Sequence, residues 1–303
     1  SVTGSDIEKQ AKLRFYHDSI HNYTELPLHE AHKIFSTAWY DRSKEFRVFT
    51  HGYTGRADGP AVLAVASASI EQGDANVALL NWDYLASQAL PGGLLNSYMN
   101  WAVPNAIQLG ADFAETLLKL SDAGLDLNNT HFVGHSLGAH VLGVTGNKMM
   151  EKGIALPWIS ALDPATGLDM KPRSFRLNDG SAVFTSALYT DPSRYGSRKE
   201  LALVNFWPNY RAGPVRQPGC TAAAGSSDRF SEDDFCSHHR AWKLYIDAMK
   251  NPGTILGSHA HSFRLWKRYK KEQREANILD INVRDLNAYV SNMQRNLFLR
   301  NTY

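Results

Sequence analysis

The sequence predicts an α/β protein, a mostly parallel sheet covered by helices. From residue 46 onward, short apolar runs alternate with longer helix-like segments. A Gly134-His135-Ser136-Leu137-Gly138 stretch falls at the junction of one such run and one such helix. The third observation is bulk: 303 residues with 43% hydrophobic against 20% charged can bury a large core and lack the low-hydrophobicity, high-charge mark of disorder. One large domain is the simplest reading of that length.

The elements follow in order. Phe46 to Thr50 is the first clear strand and runs into the glycine-bracketed loop His51-Gly52-Tyr53-Thr54-Gly55. Ala61 to Gln72 is an alanine-rich helix closed by Gly73, and Asn76 to Trp82 the next strand. Ala106 to Leu120 sets Ile107, Ala111, Phe113, Ala114, Leu117 and Leu118 largely on one helical face, with Gly124 at its end. His131 to His135 is a short strand and Leu137 to Met150 a small-residue helix. Trp158 to Leu162 is a strand ending at Asp163, Ala182 to Thr190 a β-rich run, and Leu201 to Phe206 the last good strand. His239 to Met249 is helical, with Trp242, Tyr245, Ile246 and Met249 spaced for a buried face. Residues 1–250 read as the main domain and 251–303 as an extension packed on it, with no repeat or low-complexity linker between them.

Composition excludes some partners. Lys and Arg number 32 against 30 Asp and Glu, and a net charge of +2 gives no global field for gripping a nucleic-acid backbone. The long uncharged stretch that includes Ser87 to Gly110 is broken by Pro91, Gly92, Gly93 and Pro104, so no transmembrane segment is expected. Ser1 to Lys9 is polar with no initiator Met or apolar signal core before it, the pattern of a mature or trimmed chain. Cys220 and Cys236 suit one loop-closing disulfide better than a zinc site, with free thiols as the alternative. Sequons at Asn22 and Asn128 add to an expectation of an oxidising, extracellular compartment.

Chemistry concentrates at Ser136. A nucleophile on a sharp strand-to-helix turn needs small neighbours, which Gly134 and Gly138 supply, and a helix N-terminus behind it favours developing negative charge. A serine hydroxyl also needs a histidine to accept its proton and an acid to hold that histidine's tautomer. Asp163, at the end of the strand after the nucleophile helix, is the leading acid, with Asp169, Asp179 and Asp191 in competition. For the base, His135 and His140 flank the nucleophile and His51 belongs to the early loop, which leaves His238 and His239 directly after Cys236. Spacing does not separate these two. A disulfide closing residues 221 to 235 would anchor their end of the chain, at about 3 kcal/mol in the chain-entropy model.

The motifs together resemble the pancreatic-lipase family, in its insect neutral-lipase branch. The matching segments are T-H-G-Y-T-G at 50 to 55, H-F-V-G-H-S-L-G-A-H at 131 to 140, A-L-D-P-A at 161 to 165, and Q-P-G-C followed by C-S-H-H-R at 217 to 240. The resemblance implies the α/β-hydrolase fold, a secreted serine carboxylester hydrolase, and a triad of Ser136, Asp163 and His238. It also implies an oxyanion hole from the backbone N–H groups of Tyr53 and Leu137, a lid between Cys220 and Cys236, and no cofactor. No C-terminal β-sandwich of the kind that the larger relatives carry is expected, and hence no colipase. Where the family's calcium loop carries acids this chain reads R-S-F-R-L-N-D-G-S, with Arg173, Asn178 and Ser181 in place of carboxylates, so no metal is expected.

The lid is of intermediate length, with a mildly apolar 221–225 and a polar 226–234, which predicts weak interfacial activation. The expected partner is a lipid substrate or lipid surface, with triacylglycerol and phospholipid sn-1 esters both open, as is a homo-oligomer. Tyr84, Tyr98, Trp101, Phe206, Trp207 and Tyr210 are acyl-groove candidates, each more simply read as core. The basic stretch Arg264 to Arg274 is interrupted by Glu272 and reads as a solvated helical face. Insect yolk proteins share this architecture, so storage is the alternative function.

Overall fold

A computed structural model of the chain describes residues 10–211, 213–221, 231–260, 262–264, 278–280 and 296–299. Its strands are β1 (Lys12–Ser19), β2 (Asn22–Pro27), β3 (Glu45–Thr50), β4 (Ala75–Asn81), β5 (Thr130–His135), β6 (Trp158–Leu162), β7 (Phe184–Leu188), β8 (Val204–Pro208), β9 (Leu256–His259), β10 (Ile278–Asp280) and β11 (Asn296–Leu299). They form one sheet in the order β10-β9-β11-β8-β7-β6-β5-β3-β4-β1-β2. Every pairing from β4 across to β8 is parallel, as is β8 with β11, while β1, β2, β9 and β10 join antiparallel.

The helices are α1 (Pro60–Gln72), α2 (Leu94–Ser97), α3 (Val103–Asp122), α4 (Leu137–Glu151) and α5 (Cys236–Lys250). Helix α1 starts with proline in its first turn and stops at Gly73, whose φ of 73° a Cβ would disfavour. Helix α3 presents Ala106, Leu109, Phe113, Leu117 and Leu120 to the sheet together with Val141 and Leu142 of α4. Helices α1 and α5 cover the opposite face through Val62, Val65, Ala241, Leu244 and Ala248. The central strands, buried on both faces, read as near-continuous apolar runs, as in Phe132 and Val133 of β5. This three-layer, mostly parallel arrangement is the α/β-hydrolase fold class that the sequence predicts.

Some expectations shift. The strand expected over 201 to 206 lies at Val204–Pro208, and the run 182 to 190 pairs only over Phe184–Leu188. The hairpin β1–β2 and the tail strands extend the sheet at both ends beyond the predicted set. The lid segment 222–230 and the basic stretch past Arg264 lie outside the described residues. Among the described residues no helix is long and apolar enough to cross a membrane.

Topology positions the site. From β3 the chain passes to β4 on one side, then returns to place β5 on the other. Loops leaving β3 and β5 therefore diverge, and a crevice opens at their carboxyl ends.

Candidate active site

Ser136 occupies the turn from β5 to α4 with φ 57° and ψ −122°, a backbone conformation that costs about 1–3 kcal/mol in a non-glycine residue. Close packing makes the turn possible. A Cβ on Gly138 would stand 2.4 Å from the Thr50 carbonyl oxygen, and one on Gly52 would stand 2.6 Å from Ser136 Cβ. The loop after β3 thus lies directly against the serine. Among the described residues, neither the Tyr53 N–H nor the Leu137 N–H finds a protein acceptor. Two amide donors are left free beside the Ser136 side chain.

Asp163 follows β6, is fully buried, and also adopts a positive φ, 45°. Its Oδ1 accepts hydrogen bonds from the amides of Thr190 at 2.8 Å and Asp191 at 3.0 Å, and its Oδ2 lies 2.5 Å from His238 Nδ1. Such a pair fixes Nδ1 as the protonated nitrogen and leaves Nε2 to accept a proton. Ser136 and His238 line the same cleft, with no direct hydrogen bond between their side chains in this conformation. Catalytic contacts of this kind commonly close only with substrate bound.

The rival residues do other work. His140 is buried, accepts from the Leu177 amide and lies 2.8 Å from the Ala165 carbonyl, and burial pushes its pKa down to about 4. His135 lies 3.2 Å from the His238 carbonyl, and burial, with the charges of His238 and His239, holds it well below the usual imidazole range. His239 stacks on Phe235 at 5.5 Å and is lowered to about 4 by burial and then by His238. Asp169 accepts from Ser197 Oγ at 2.6 Å and from the Gly167 amide. Asp191 is the near miss. Both of its carboxylate oxygens are buried without a hydrogen-bond partner, and burial, then the Asp163 charge, pushes its pKa up. A carboxyl that resists ionisation is poorly suited to stabilising an imidazolium.

Asp163, Asp191 and His238 each offer an atom within 4.8 Å of the others, a donor set that could hold a metal. Both Asp163 oxygens are already engaged by amides and imidazole, however. In the R-S-F-R-L-N-D-G-S segment, the Arg173 guanidinium donates to Asn178 Oδ1 at 2.8 Å and to Asp179.

Cys220 and Cys236 form a disulfide with Cα atoms 5.6 Å apart, at the start of the helix that carries His238. A cluster absent from the sequence reading supports the same end of the site. Asp234, 2% exposed, accepts from the Arg194 guanidinium and from the Tyr195 hydroxyl. The Tyr195 ring packs on Phe235 at 4.4 Å and on His238 at 5.8 Å. This ties the segment before Cys236 to the loop whose amides hold Asp163. The usable signal was an acid directly preceding Phe235-Cys236, facing a loop with a neighbouring Arg-Tyr pair.

The cleft has a volume of about 510 Å³ and is bounded by Tyr53, Leu94, Leu95 and Tyr98 on one side and by Phe235 and Trp242 on another. Of the acyl-groove candidates only Tyr98 lines it. Phe206 and Trp207 are core, Tyr210 packs on Trp207, and Tyr84 and Trp101 form an edge pair away from the cleft. Asn22, at the start of β2, and Asn128, in a single 3-10 turn before β5, are both exposed.

Comparison with known proteins is consistent with this geometry. The Lipase family model matches residues 3–302. Phospholipase A1 member A of Mus musculus is 32% identical over 232 residues, covering 74% of this chain and 47% of that protein. Phospholipase A1 VesT1.02 of Vespa tropica is 30% identical over 212 residues, 69% of this chain and 66% of its own length. Pancreatic triacylglycerol lipase of Mus musculus is 27% identical over 240 residues, 74% and 48% of the two chains. The chain thus spans about half the length of its mammalian relatives and just under two thirds of the wasp protein. With a family model matched over nearly its whole length, the chain belongs to the lipase family.

Proposed function

We propose that the chain is a secreted serine carboxylester hydrolase acting on lipid esters. Ser136 attacks the ester carbonyl as His238 Nε2 takes its proton, and Asp163 holds the ring and stabilises the imidazolium. The amides of Tyr53 and Leu137 receive the oxyanion, and His238 then returns the proton to the departing alcohol. Water repeats the sequence on the acyl-enzyme. The observation that carries the reading is the 2.5 Å Asp163–His238 contact in a cleft shared with a serine at φ 57°. Preorganised oxyanion donors are typically worth about 3–4 kcal/mol each, so two free amides at that spot support it further.

The names of the relatives make phospholipids and triacylglycerols the substrates to test. The Cys220–Cys236 disulfide and the exposed Asn22 and Asn128 sequons support secretion and glycosylation. A division into residues 1–250 and a packed 251–303 extension is supported by the pairing of β11 with β8. No observation favours a yolk store. Replacing Ser136 by Ala abolishes fatty-acid release from both lipid classes, read by titration of the acid; undiminished turnover contradicts the assignment.

A further inference from the structure

Gln217 opens the Q-P-G-C stretch, yet the triad makes no use of it. It is 1% exposed, and a buried carboxamide needs acceptors for its two N–H groups and a donor for its oxygen. All three are present. Its Nε2 donates to the Thr190 carbonyl at 2.8 Å and to the Pro208 carbonyl at 3.0 Å, and its Oε1 accepts from Asn209 Nδ2 at 2.9 Å. Carbonyl oxygens only accept, so the nitrogen end of the group must face Thr190 and Pro208, and its surroundings fix its orientation. The two carbonyls lie within reach of one side chain because β7 and β8 pair in parallel, with Leu188 opposite Phe206 as their last partners.

The Thr190 carbonyl belongs to the Thr190–Asp191 peptide, and the N–H of that peptide donates to Asp163 Oδ1 at 3.0 Å. In a trans peptide the carbonyl and the N–H point in opposite directions, so a donor that holds the Thr190 oxygen sets where the Asp191 N–H points. The backbone of Gln217 acts on the base. Its N–H donates to Ser237 Oγ at 3.1 Å, and Ser237, itself buried, directly precedes His238 in the first turn of α5. Its carbonyl accepts from the Cys220 amide at 3.1 Å, and Cys220 is bonded to Cys236 at the start of the same helix. One residue therefore fastens both the loop that holds the acid and the helix that carries the base.

We propose that Gln217 is a positioning residue for the acid–base pair: its carboxamide aims the Thr190–Asp191 peptide at Asp163, and its backbone N–H anchors the turn that presents His238. The geometry it maintains is the 2.5 Å contact between Asp163 Oδ2 and His238 Nδ1. A misplacement of about 1 Å at such a contact can cost about 100-fold in rate. The proposal rests on the reading of Asp163 and His238 as acid and base.

The test uses the full chain and a soluble short-chain p-nitrophenyl ester. Gln217→Met conserves length, removes the carboxamide and leaves the backbone contact to Ser237 in place. It should lower kcat about 100-fold with KM unchanged, at a temperature well below its unfolding midpoint. Because the carboxamide acts through Asp163, the same change made in Asp163→Asn should cost less than about 3-fold more, whereas a merely structural defect would repeat its full factor. Proton spectra give a second readout: a low-field resonance of the Asp163–His238 hydrogen bond, assigned by its loss in His238→Ala, should be present in the wild type and lost in Gln217→Met. Asn209→Gly keeps a residue suited to a φ of 53° and removes the donor to Oε1, so it probes the carboxamide even where Gln217→Met fails to fold. It should lower kcat about 5-fold, as should Ser237→Ala for the backbone arm, each with KM unchanged. Wild-type kcat in folded Gln217→Met or in Asn209→Gly overturns the proposal, as does a full repeated loss in the Asp163→Asn background or an intact low-field resonance in Gln217→Met. A wild type that hydrolyses no ester overturns instead the functional reading, while the resonance still reports whether Gln217 aligns the pair.

Discussion

The two sides of the cleft are held in place by different physics. On the Ser136 side, the β3 and β5 turns are locked by steric exclusion, with Gly52 and Gly138 packed where no Cβ fits. On the His238 side, alignment rests on polar contacts: Asp163 on two amides, Asp234 on Arg194 and Tyr195, and the Cys220–Cys236 bridge. Steric locks fail with the fold, whereas polar ties can fail one at a time and leave a folded protein with a misaligned base. That difference separates the substitutions by readout.

The largest effect should come from Asp163→Asn. An amide in place of the carboxylate favours the wrong tautomer of His238, and kcat should fall by about four orders of magnitude with the unfolding midpoint little changed. Asp234→Ala removes the buried acceptor shared by the Arg194 guanidinium and the Tyr195 hydroxyl and should cost about 1–3 kcal/mol in urea unfolding, with a further loss of kcat as Tyr195 and Phe235 relax around His238. On the opposite side, Gly138→Ala drives a Cβ onto the carbonyls of Thr50 and His51, and overpacking against backbone should cost about 3 kcal/mol or prevent soluble expression. If Gly138→Ala instead folds normally and loses only activity, the distinction between the sides collapses.

Acid should act through the buried histidines. The His140 pKa is depressed to about 4, below its unfolded value, so its contribution to stability is complete above about pH 6.5 and is lost as pH falls toward 4. Unfolding free energy should drop by about 2 kcal/mol between pH 7 and pH 5 from this residue alone, and His140→Gln should flatten that slope. The smallest effect belongs to the rim. Leu95, 66% exposed at the cleft, should change stability by less than about 0.5 kcal/mol when replaced by Ser, while KM for long-chain esters rises.

The same contrast governs what the sequence could reveal. The turn at Ser136 is legible because steric demands leave glycines at fixed offsets, and Asp163 is legible because a carboxylate closes an apolar strand. The choice of His238 over His239 came only with the family resemblance, since adjacent residues on one helix share every local signal. Gln217 joins Thr190 to Pro208 because β7 and β8 are parallel neighbours with Leu188 opposite Phe206, which brings both strand ends within reach of one carboxamide 27 positions beyond Thr190. Periodicity does not encode that. The β1–β2 hairpin is not legible because its turn at Ile20-His21 carries no glycine, nor are β9 to β11, because strands of three or four residues give too short a pattern.

The central claim is that Ser136 is a nucleophile activated by His238 and Asp163. A fluorophosphonate probe incubated with the folded chain, followed by peptide mass spectrometry, tests it most directly. The account predicts a single adduct on Ser136, formed far more slowly in His238→Ala and Asp163→Asn and absent in Ser136→Ala. An unlabelled Ser136 in folded wild type, or labelling at an undiminished rate in His238→Ala, would contradict it.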